Sequence, residues 1–295
     1  MTCDSNPLKP SDQLNIEHSR FNMIREQKFS FGENWQRFLE SLDRDRIEIA
    51  AQSLIEFLDI PDLHGKSFID IGCGSGLFSY AAFQLGAERI VSFDVDPFSV
   101  QCCKHLHNLA DSPAKWEIFE GSVLEKPFIT SLGNFDIVYS WGVLHHTGKM
   151  WESILNSCGL VAPDGYYYIA LYNKIISRNG SAAWIHKFWL SVKKIYNAYP
   201  LLGRFVLEPA AMGAYLLMVM ARLENPVTHV KNYRSHRGMR WRTDATDWIG
   251  GYPYEFATVE EVFRFVRKNF PDFVLTNIKT TSGRGLNWYL FEKSA

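Results

Sequence analysis

Residues 66–76 read Lys-Ser-Phe-Ile-Asp-Ile-Gly-Cys-Gly-Ser-Gly, an apolar run that leads directly into a glycine-rich turn. The run is typical of a buried strand, and a helix is expected from Leu77 onward. Glycines 72, 74 and 76 let the backbone turn tightly and approach a ligand closely, where a side chain would clash. This stretch predicts a strand–turn–helix unit that binds a nucleotide-like ligand. Leu77 stands where a dinucleotide motif needs its third glycine, which disfavours NAD and FAD.

A second chemical signal lies at Asp94, which ends the next apolar run, Arg-Ile-Val-Ser-Phe-Asp. An acid about 20 residues after the first glycine sits at the neighbouring strand tip, where its two oxygens can accept both hydroxyls of a ribose. Asp96 has a different interpretation. It precedes Pro97, and Asp before a proline at the first helical position is typical of a helix cap.

Strand-like and helical segments alternate outward from this unit. An amphipathic helix over Leu42–Leu58 precedes it, and strands alternating with helices follow to Tyr172. Such alternation predicts an α/β fold, with a mostly parallel sheet and helices on both faces. After Tyr172 the pattern changes to two helices and a basic, aromatic-bearing segment, and it resumes with a capping box at Thr258-x-x-Glu261. The predicted division is an N-terminal helical segment (1–60), a core (61–173), a helical insertion (174–249) and a C-terminal completion of the sheet (250–295).

Composition restricts the class of protein. Of the 295 residues, 46% are hydrophobic and 21% are charged, and the net charge is −1, which is typical of a folded protein without bulk attraction to polyanions. The five cysteines show no metal-ligand spacing, so reduced thiols and no metal site are expected. The N-terminus lacks the order of a signal peptide. The apolar stretch 210–221 is shorter than the ~20 residues that cross a bilayer, so a buried or interfacial helix and a cytoplasmic protein without a transmembrane segment are expected.

Several motifs together resemble the class I S-adenosylmethionine (SAM)-dependent methyltransferases. They are D-I-G-C-G-S-G at 70–76, Asp94, F-D-I-V-Y-S-W-G-V-L-H-H at 135–146 and V-A-P-D-G-Y at 161–166. The match covers about 65–172 and, more weakly, 256–295. F-x-F-G-x-N-W at 29–35 and D-W-I-G-G-Y-P-Y-E at 247–255 resemble a bacterial subgroup of small-molecule methylases.

The resemblance implies a Rossmann-like seven-stranded sheet whose last strand is antiparallel, with SAM lying across the strand tips. Ser122 stands where many members have an acid that binds the adenine amino group. The other implied cofactor residues are Asp70, Gly72, Cys73, Gly74 and Gly76 for methionine and ribose, Asp94 for the ribose hydroxyls, and Trp141 beside the cofactor.

Acceptor-side candidates follow the later strands. His145 and His146 follow the fourth strand, where one of them could act as a general base, and Tyr172 and Asn173 lie at the tip of the fifth. Four arginines in the insertion could clamp a carboxylate or phosphate bidentately: Arg234, Arg237, Arg240 and Arg242.

The resulting prediction is a methyltransferase that moves a methyl group to an oxygen, nitrogen or sulfur atom of a small, anionic organic acceptor, with the insertion as a lid or an oligomer interface. DNA is not expected as a partner, and an RNA acceptor is disfavoured by the neutral overall charge. Two alternatives stay open: a non-catalytic SAM-binding sensor or subunit and, less favoured, an NAD-dependent oxidoreductase.

Overall fold

The computed structural model describes residues 29, 31–39, 42–177, 183–233, 241–283 and 285–294. Its centre is a seven-stranded sheet with the spatial order β3-β2-β1-β4-β5-β7-β6. The strands are β1 Ser67–Ile71, β2 Arg89–Asp94, β3 Trp116–Glu120, β4 Phe135–Trp141, β5 Val161–Tyr172, β6 Phe273–Lys279 and β7 Leu286–Lys293. β7 pairs antiparallel with both β5 and β6, and the strand pairs from β3 to β5 are parallel. The predicted fold class is confirmed, including the antiparallel last strand.

The helices that precede the insertion are α1 Phe31–Leu39, α2 Arg44–Leu58, α3 Leu77–Gln84, α4 Pro97–Leu109, α5 Lys126–Ser131 and α6 Met150–Cys158. Those that follow β5 are α7 Trp184–Ala198, α8 Pro200–Ala221, α9 Pro226–Asn232, α10 Trp241–Gly250 and α11 Val259–Asn269. Separate clusters of buried side chains cover the sheet, one under α5, α6 and α11 and the other under α2, α3 and α4. Burial on both faces explains why the central strands read as continuous apolar runs.

Two helix starts agree with their sequence signals. Oδ1 of Asp96 accepts a hydrogen bond from the Phe98 amide at 2.9 Å, so Asp96 caps α4. At α11, Thr258 Oγ1 accepts from the Glu261 amide at 3.0 Å, and the Glu261 carboxylate accepts from the Thr258 amide at 2.8 Å. These local bonds satisfy amide donors that have no partner within the helix.

The long helix α8 differs from its prediction. It runs for 22 residues, because a π-helical turn over Gly203–Leu207 carries the helix past Pro209 without a break. By length and composition it is the one helix among the described residues that could cross a membrane. Most of it is exposed, so of the two expectations, a buried or an interfacial helix, the buried one is wrong.

Candidate active site

A cavity of about 1660 Å³ opens at the carboxyl ends of the parallel strands. Its walls come from the ends of β1 to β5, from α1 and from the helices of the insertion. The sheet order reverses between β1 and β4, and open α/β sheets bind ligands in the crevice at such a switch point. Seven of the predicted cofactor residues line the cavity: Asp70, Gly72, Cys73, Gly74, Asp94, Ser122 and Trp141.

The glycine-rich turn has a left-handed backbone at Gly72 and Gly74, with φ of +73° and +54°. The amides of Gly72 and Cys73 donate to the Phe93 carbonyl at 2.8 and 3.0 Å, which holds the turn against the end of β2. A Cβ at Gly74 would lie 2.8 Å from Nε1 of Trp35. The turn is therefore covered by α1 and has no space there for a side chain.

Gly76 serves the fold and lies outside the lining of the cavity. Its φ is +81°, and a Cβ on it would lie 2.8 Å from the backbone Cα of Cys103 in α4. The third glycine of the turn thus permits close packing between the turn and α4. The resemblance had instead assigned this glycine to the cofactor.

Two carboxylates are placed around this turn. Asp94 accepts from the Gly74 amide at 3.1 Å and from the Asp96 amide at 2.9 Å, and burial raises its pKa to about 6. The buried Asp70 accepts a 2.6 Å hydrogen bond from Ser79 Oγ in α3. Asp94 therefore faces the cavity as part of the turn, and the first strand tip is fixed to the helix that follows.

Ser122 and Trp141 line the cavity on opposite sides of the glycine turn. Ser122 follows β3, and its Oγ accepts from the Leu124 amide at 3.2 Å. Trp141 ends β4 and packs edge-on against Trp288 with ring centroids 5.7 Å apart. Both side chains line the cavity, Ser122 beyond the edge strand β3 and Trp141 at the tip of β4, with β2 and β1 between them.

On the acceptor side, His145, His146 and Tyr172 form one aromatic cluster. The ring centroid of His145 lies 4.3 Å from that of His146 and 4.1 Å from that of Tyr172. His145 is fully buried, and neither ring nitrogen has a hydrogen-bond partner in the described part of the chain. Burial is the main cause that lowers the pKa of both histidines, that of His146 to about 3, so both imidazoles are neutral near pH 7.

His146 has a defined tautomer. Its Nδ1 lies 2.6 Å from the Pro253 carbonyl oxygen, which only accepts, so Nδ1 carries the proton and Nε2 carries a lone pair. A Cβ on Gly251 would lie 2.7 Å from Cε1 and 3.1 Å from Nε2 of this ring. Glycine at 251 thus lets the backbone pack directly against this edge of the ring.

Sequence reasoning missed two titratable side chains behind this cluster, Lys193 and Asp247. Lys193 in α7 donates to the Trp248 carbonyl, and burial lowers its pKa to about 7. Asp247 lines the cavity and accepts from Asn34 Nδ2 at 2.8 Å, and burial raises its pKa well above the usual value. Asn34 and Asp247 belong to the motifs at 29–35 and 247–255. These motifs were the feature of the sequence that could have pointed to Asp247.

Neither Arg242 nor Asn173, two of the predicted substrate residues, lines the cavity. Arg242 is exposed and lies outside the cavity lining, whereas Arg222 contributes to it. Asn173 holds the 281–287 loop, donating to the Thr281 carbonyl at 3.0 Å and accepting from Asn287 at the same distance. Arg234, Arg237 and Arg240 lie outside the described residues. No cluster of His, Cys, Asp and Glu suited to a metal occurs within the described ranges.

Residues 50–163 match the family model described as "Ribosomal protein L11 methyltransferase (PrmA)". The resemblance to the class I methyltransferases is confirmed. Curated relatives with the same name include proteins of Photobacterium profundum and Tolumonas auensis, which are 48% and 44% identical to this chain over 50 residues. That stretch is 17% of this chain and only 17% of each relative's length. This chain therefore matches only about a sixth of the length of these relatives.

Solved structures similar to this chain include an O-methyltransferase family protein from Burkholderia thailandensis, with 13% identity and a TM-score of 0.49 over 83% of this chain and 56% of that one. The N-methyltransferase NodS from Bradyrhizobium japonicum is 12% identical, with a TM-score of 0.48 over 90% of this chain and 99% of that one.

The matched family corrects one prediction. Its members are named for a methyl acceptor that is a ribosomal protein, which overturns the assignment of a small-molecule partner and the low rank given to macromolecular acceptors. That assignment had rested on the basic segment, on the near-zero net charge of the whole chain and on the resemblance of 29–35 and 247–255 to small-molecule methylases.

Proposed function

We propose that this chain is a SAM-dependent methyltransferase. The observation that carries the proposal is the turn at Gly72–Gly74, held against β2 and bonded to Asp94 in a cavity at the switch point of the sheet. Bound SAM would supply an activated methyl group on a sulfonium. The residues suited to hold it are those that line the cavity at the strand tips: Asp70, Gly72, Cys73, Gly74, Asp94, Ser122 and Trp141.

On the acceptor side we assign His146 as the base. Its Nε2 carries a lone pair because the Pro253 carbonyl holds the ring proton on Nδ1, and the ring lines the cavity. His145 and Tyr172 pack beside it, and burial raises the pKa of the Tyr172 phenol, which therefore stays protonated. A cluster of neutral rings at this place suits an acceptor nitrogen, oxygen or sulfur that loses a proton to His146 as the methyl group arrives.

The cover of the site comes from the N-terminal segment (1–60) and the insertion (174–249). Trp35 of α1 lies over the glycine turn, while Met212, Tyr215 and Met218 of α8 line the opposite wall. These elements would exclude water and select the acceptor. Because the matched relatives are named for a ribosomal protein, a group carried on a macromolecule is the acceptor to test first. The four cysteines among the described residues are free, which agrees with the proposed cytoplasmic location.

Two measurements test the proposal. Calorimetry should detect SAM binding to the wild type, strong loss of binding in Asp94→Ala, and no binding of NADH. Methyl-labelled SAM is then incubated with protein, RNA and lipid fractions of a bacterial lysate. His146→Gln should lower kcat while SAM affinity is retained, and the exposed His64→Gln is the matched control. Absence of SAM binding contradicts the proposal, and binding without any labelled product favours a non-catalytic SAM-binding subunit.

A further inference from the structure

Helix α8 presents an apolar face to the outside of the protein. Leu201 is 75% exposed, Phe205 68% and Leu217 63%. The exposed apolar side chains along this helix, here called the docking face, are Leu201, Leu202, Phe205, Val206, Leu217, Met218 and Met220. A water-facing helix surface is normally polar, so seven exposed apolar side chains on one helix indicate an interaction site.

The opposite face of α8 is tied to the folded body. Glu208 is buried and accepts a hydrogen bond of 2.7 Å from Thr246 Oγ1 in α10 and one of 3.3 Å from the Tyr196 hydroxyl. A Cβ on Gly203 would lie 2.8 Å from the Tyr196 ring, and Val219 is buried near the other end. Crossing a bilayer would break these contacts and carry Glu208 into hydrocarbon. The geometry suits a helix that lies in the plane of an interface.

The charged side chains beside the docking face indicate which class of partner it binds. Lys187, Lys194, Arg204 and Arg222 are exposed on α7, on α8 and just after it. The single acid between residues 183 and 223 is Glu208, which is buried. Two-fold pairing with a second copy would bring these cations together and repel. Apolar residues flanked by lysine and arginine match an anionic lipid surface, and the exposed aromatic side chains Trp184 and Tyr199 suit a headgroup layer.

We propose that α8 docks in the plane of an anionic phospholipid bilayer. The docking face enters the boundary between headgroups and acyl chains, and the four cations contact lipid phosphates. Met218 and Arg222 are exposed and also line the large cavity, so docking would place one wall of that cavity at the membrane surface. Bilayer binding by itself does not require methyl transfer.

The test is co-sedimentation of the full chain with vesicles. One set contains phosphatidylcholine alone, and the other also contains phosphatidylglycerol. We expect binding to the anionic vesicles that weakens as salt is raised, and at least a ~tenfold loss for Phe205→Glu. Leu109→Glu on α4 is the matched control, since Leu109 is 60% exposed, and it should bind as the wild type does. Lys194→Glu should weaken binding to anionic vesicles, whereas the exposed α4 variant Lys104→Glu should not.

Circular dichroism and SAM calorimetry on Phe205→Glu separate docking from folding and from the proposed activity, because Phe205 lies outside the cavity lining. Failure of the wild type to bind anionic vesicles overturns the proposal, as does unchanged binding by Phe205→Glu. A wild-type dimer in ultracentrifugation that ignores vesicles, and that Phe205→Glu converts to a monomer, identifies a second copy as the occupant and also overturns it.

Discussion

The side-chain amide of Asn34 donates a 2.8 Å hydrogen bond to Oδ1 of Asp247, 213 residues further along the chain. The same nitrogen donates to the Thr243 carbonyl at 2.9 Å. These bonds join α1 to α10 above the cavity. They bring together the motifs at 29–35 and 247–255, which the sequence keeps far apart. The roof of the candidate active site is thus built from both sides of the core.

Replacing Asn34 with alanine should destabilise this roof. The change leaves the half-buried Asp247 carboxyl without the hydrogen bond that lowers its pKa, and loss of a buried hydrogen-bond partner costs about 1–3 kcal/mol. Urea unfolding monitored by circular dichroism measures the loss. Gln52→Ala removes a hydrogen bond of 2.9 Å on the exposed face of α2 and should change the free energy of unfolding by less than ~0.5 kcal/mol. Equal changes in the free energy of unfolding for the two variants would contradict a stabilising role of the Asn34–Asp247 hydrogen bond.

A methyl group at Gly74 should weaken SAM binding. Its Cβ would meet Trp35 Nε1 at 2.8 Å, so either α1 or the turn must move. Calorimetry on Gly74→Ala should show at least a ~tenfold higher dissociation constant for SAM, equivalent to a loss of about 1.4 kcal/mol of binding free energy. Gly133→Ala is the control, since Gly133 also has a positive φ but has open space around it. Adding Trp35→Ala to Gly74→Ala should restore part of the affinity, and no recovery would rule out the steric cause.

Gly76→Ala should instead destabilise the fold. The added Cβ would meet the Cys103 Cα at 2.8 Å, and backbone in the middle of α4 cannot yield as a flexible side chain can. Overpacking of this kind costs about 1–3 kcal/mol, which a urea titration resolves. Gly65→Ala is the control, because Gly65 also has a positive φ but a Cβ there would have no neighbour within 4 Å. This variant therefore measures the cost of backbone strain alone. A Gly76→Ala variant as stable as Gly65→Ala would contradict the packing role.

SAM affinity should fall as the pH is lowered through about 6. Burial raises the pKa of Asp94 from 3.8 to about 6, and protonation removes the carboxylate that would accept the ribose hydroxyls. The raised pKa means that the folded state binds more protons than the unfolded chain between these values, so Asp94 favours folding as the pH falls through this window. Weaker binding at low pH would therefore not reflect unfolding caused by Asp94. Calorimetry across the window should show this dependence in the wild type and in Asp45→Asn, whereas Asp94→Asn should bind weakly at every pH.

Local sequence patterns were sufficient to predict the strands and helices of the core. β2 spans the predicted Arg89–Asp94, and Asp96 and Thr258 cap the helices that they were expected to cap. These features depend on periodicity and on hydrogen bonds between residues a few positions apart, so a short window of sequence contains their cause. The glycine turn and Asp94 belong to the same group, because parallel pairing of β1 with β2 places both at one edge of the sheet.

Contacts between distant segments decided the rest. Nothing near Gly76 indicates that Cys103 will press against it, and nothing near Asn34 indicates Asp247. The low pKa of Lys193 comes from burial, which depends on the helices and strands that surround a side chain after folding. Likewise, the composition of α8 does not reveal which of its faces is covered. The tertiary contacts of Glu208 with Thr246 and Tyr196, together with the burial of Val219, determine which face packs on the protein and leave Phe205 outside.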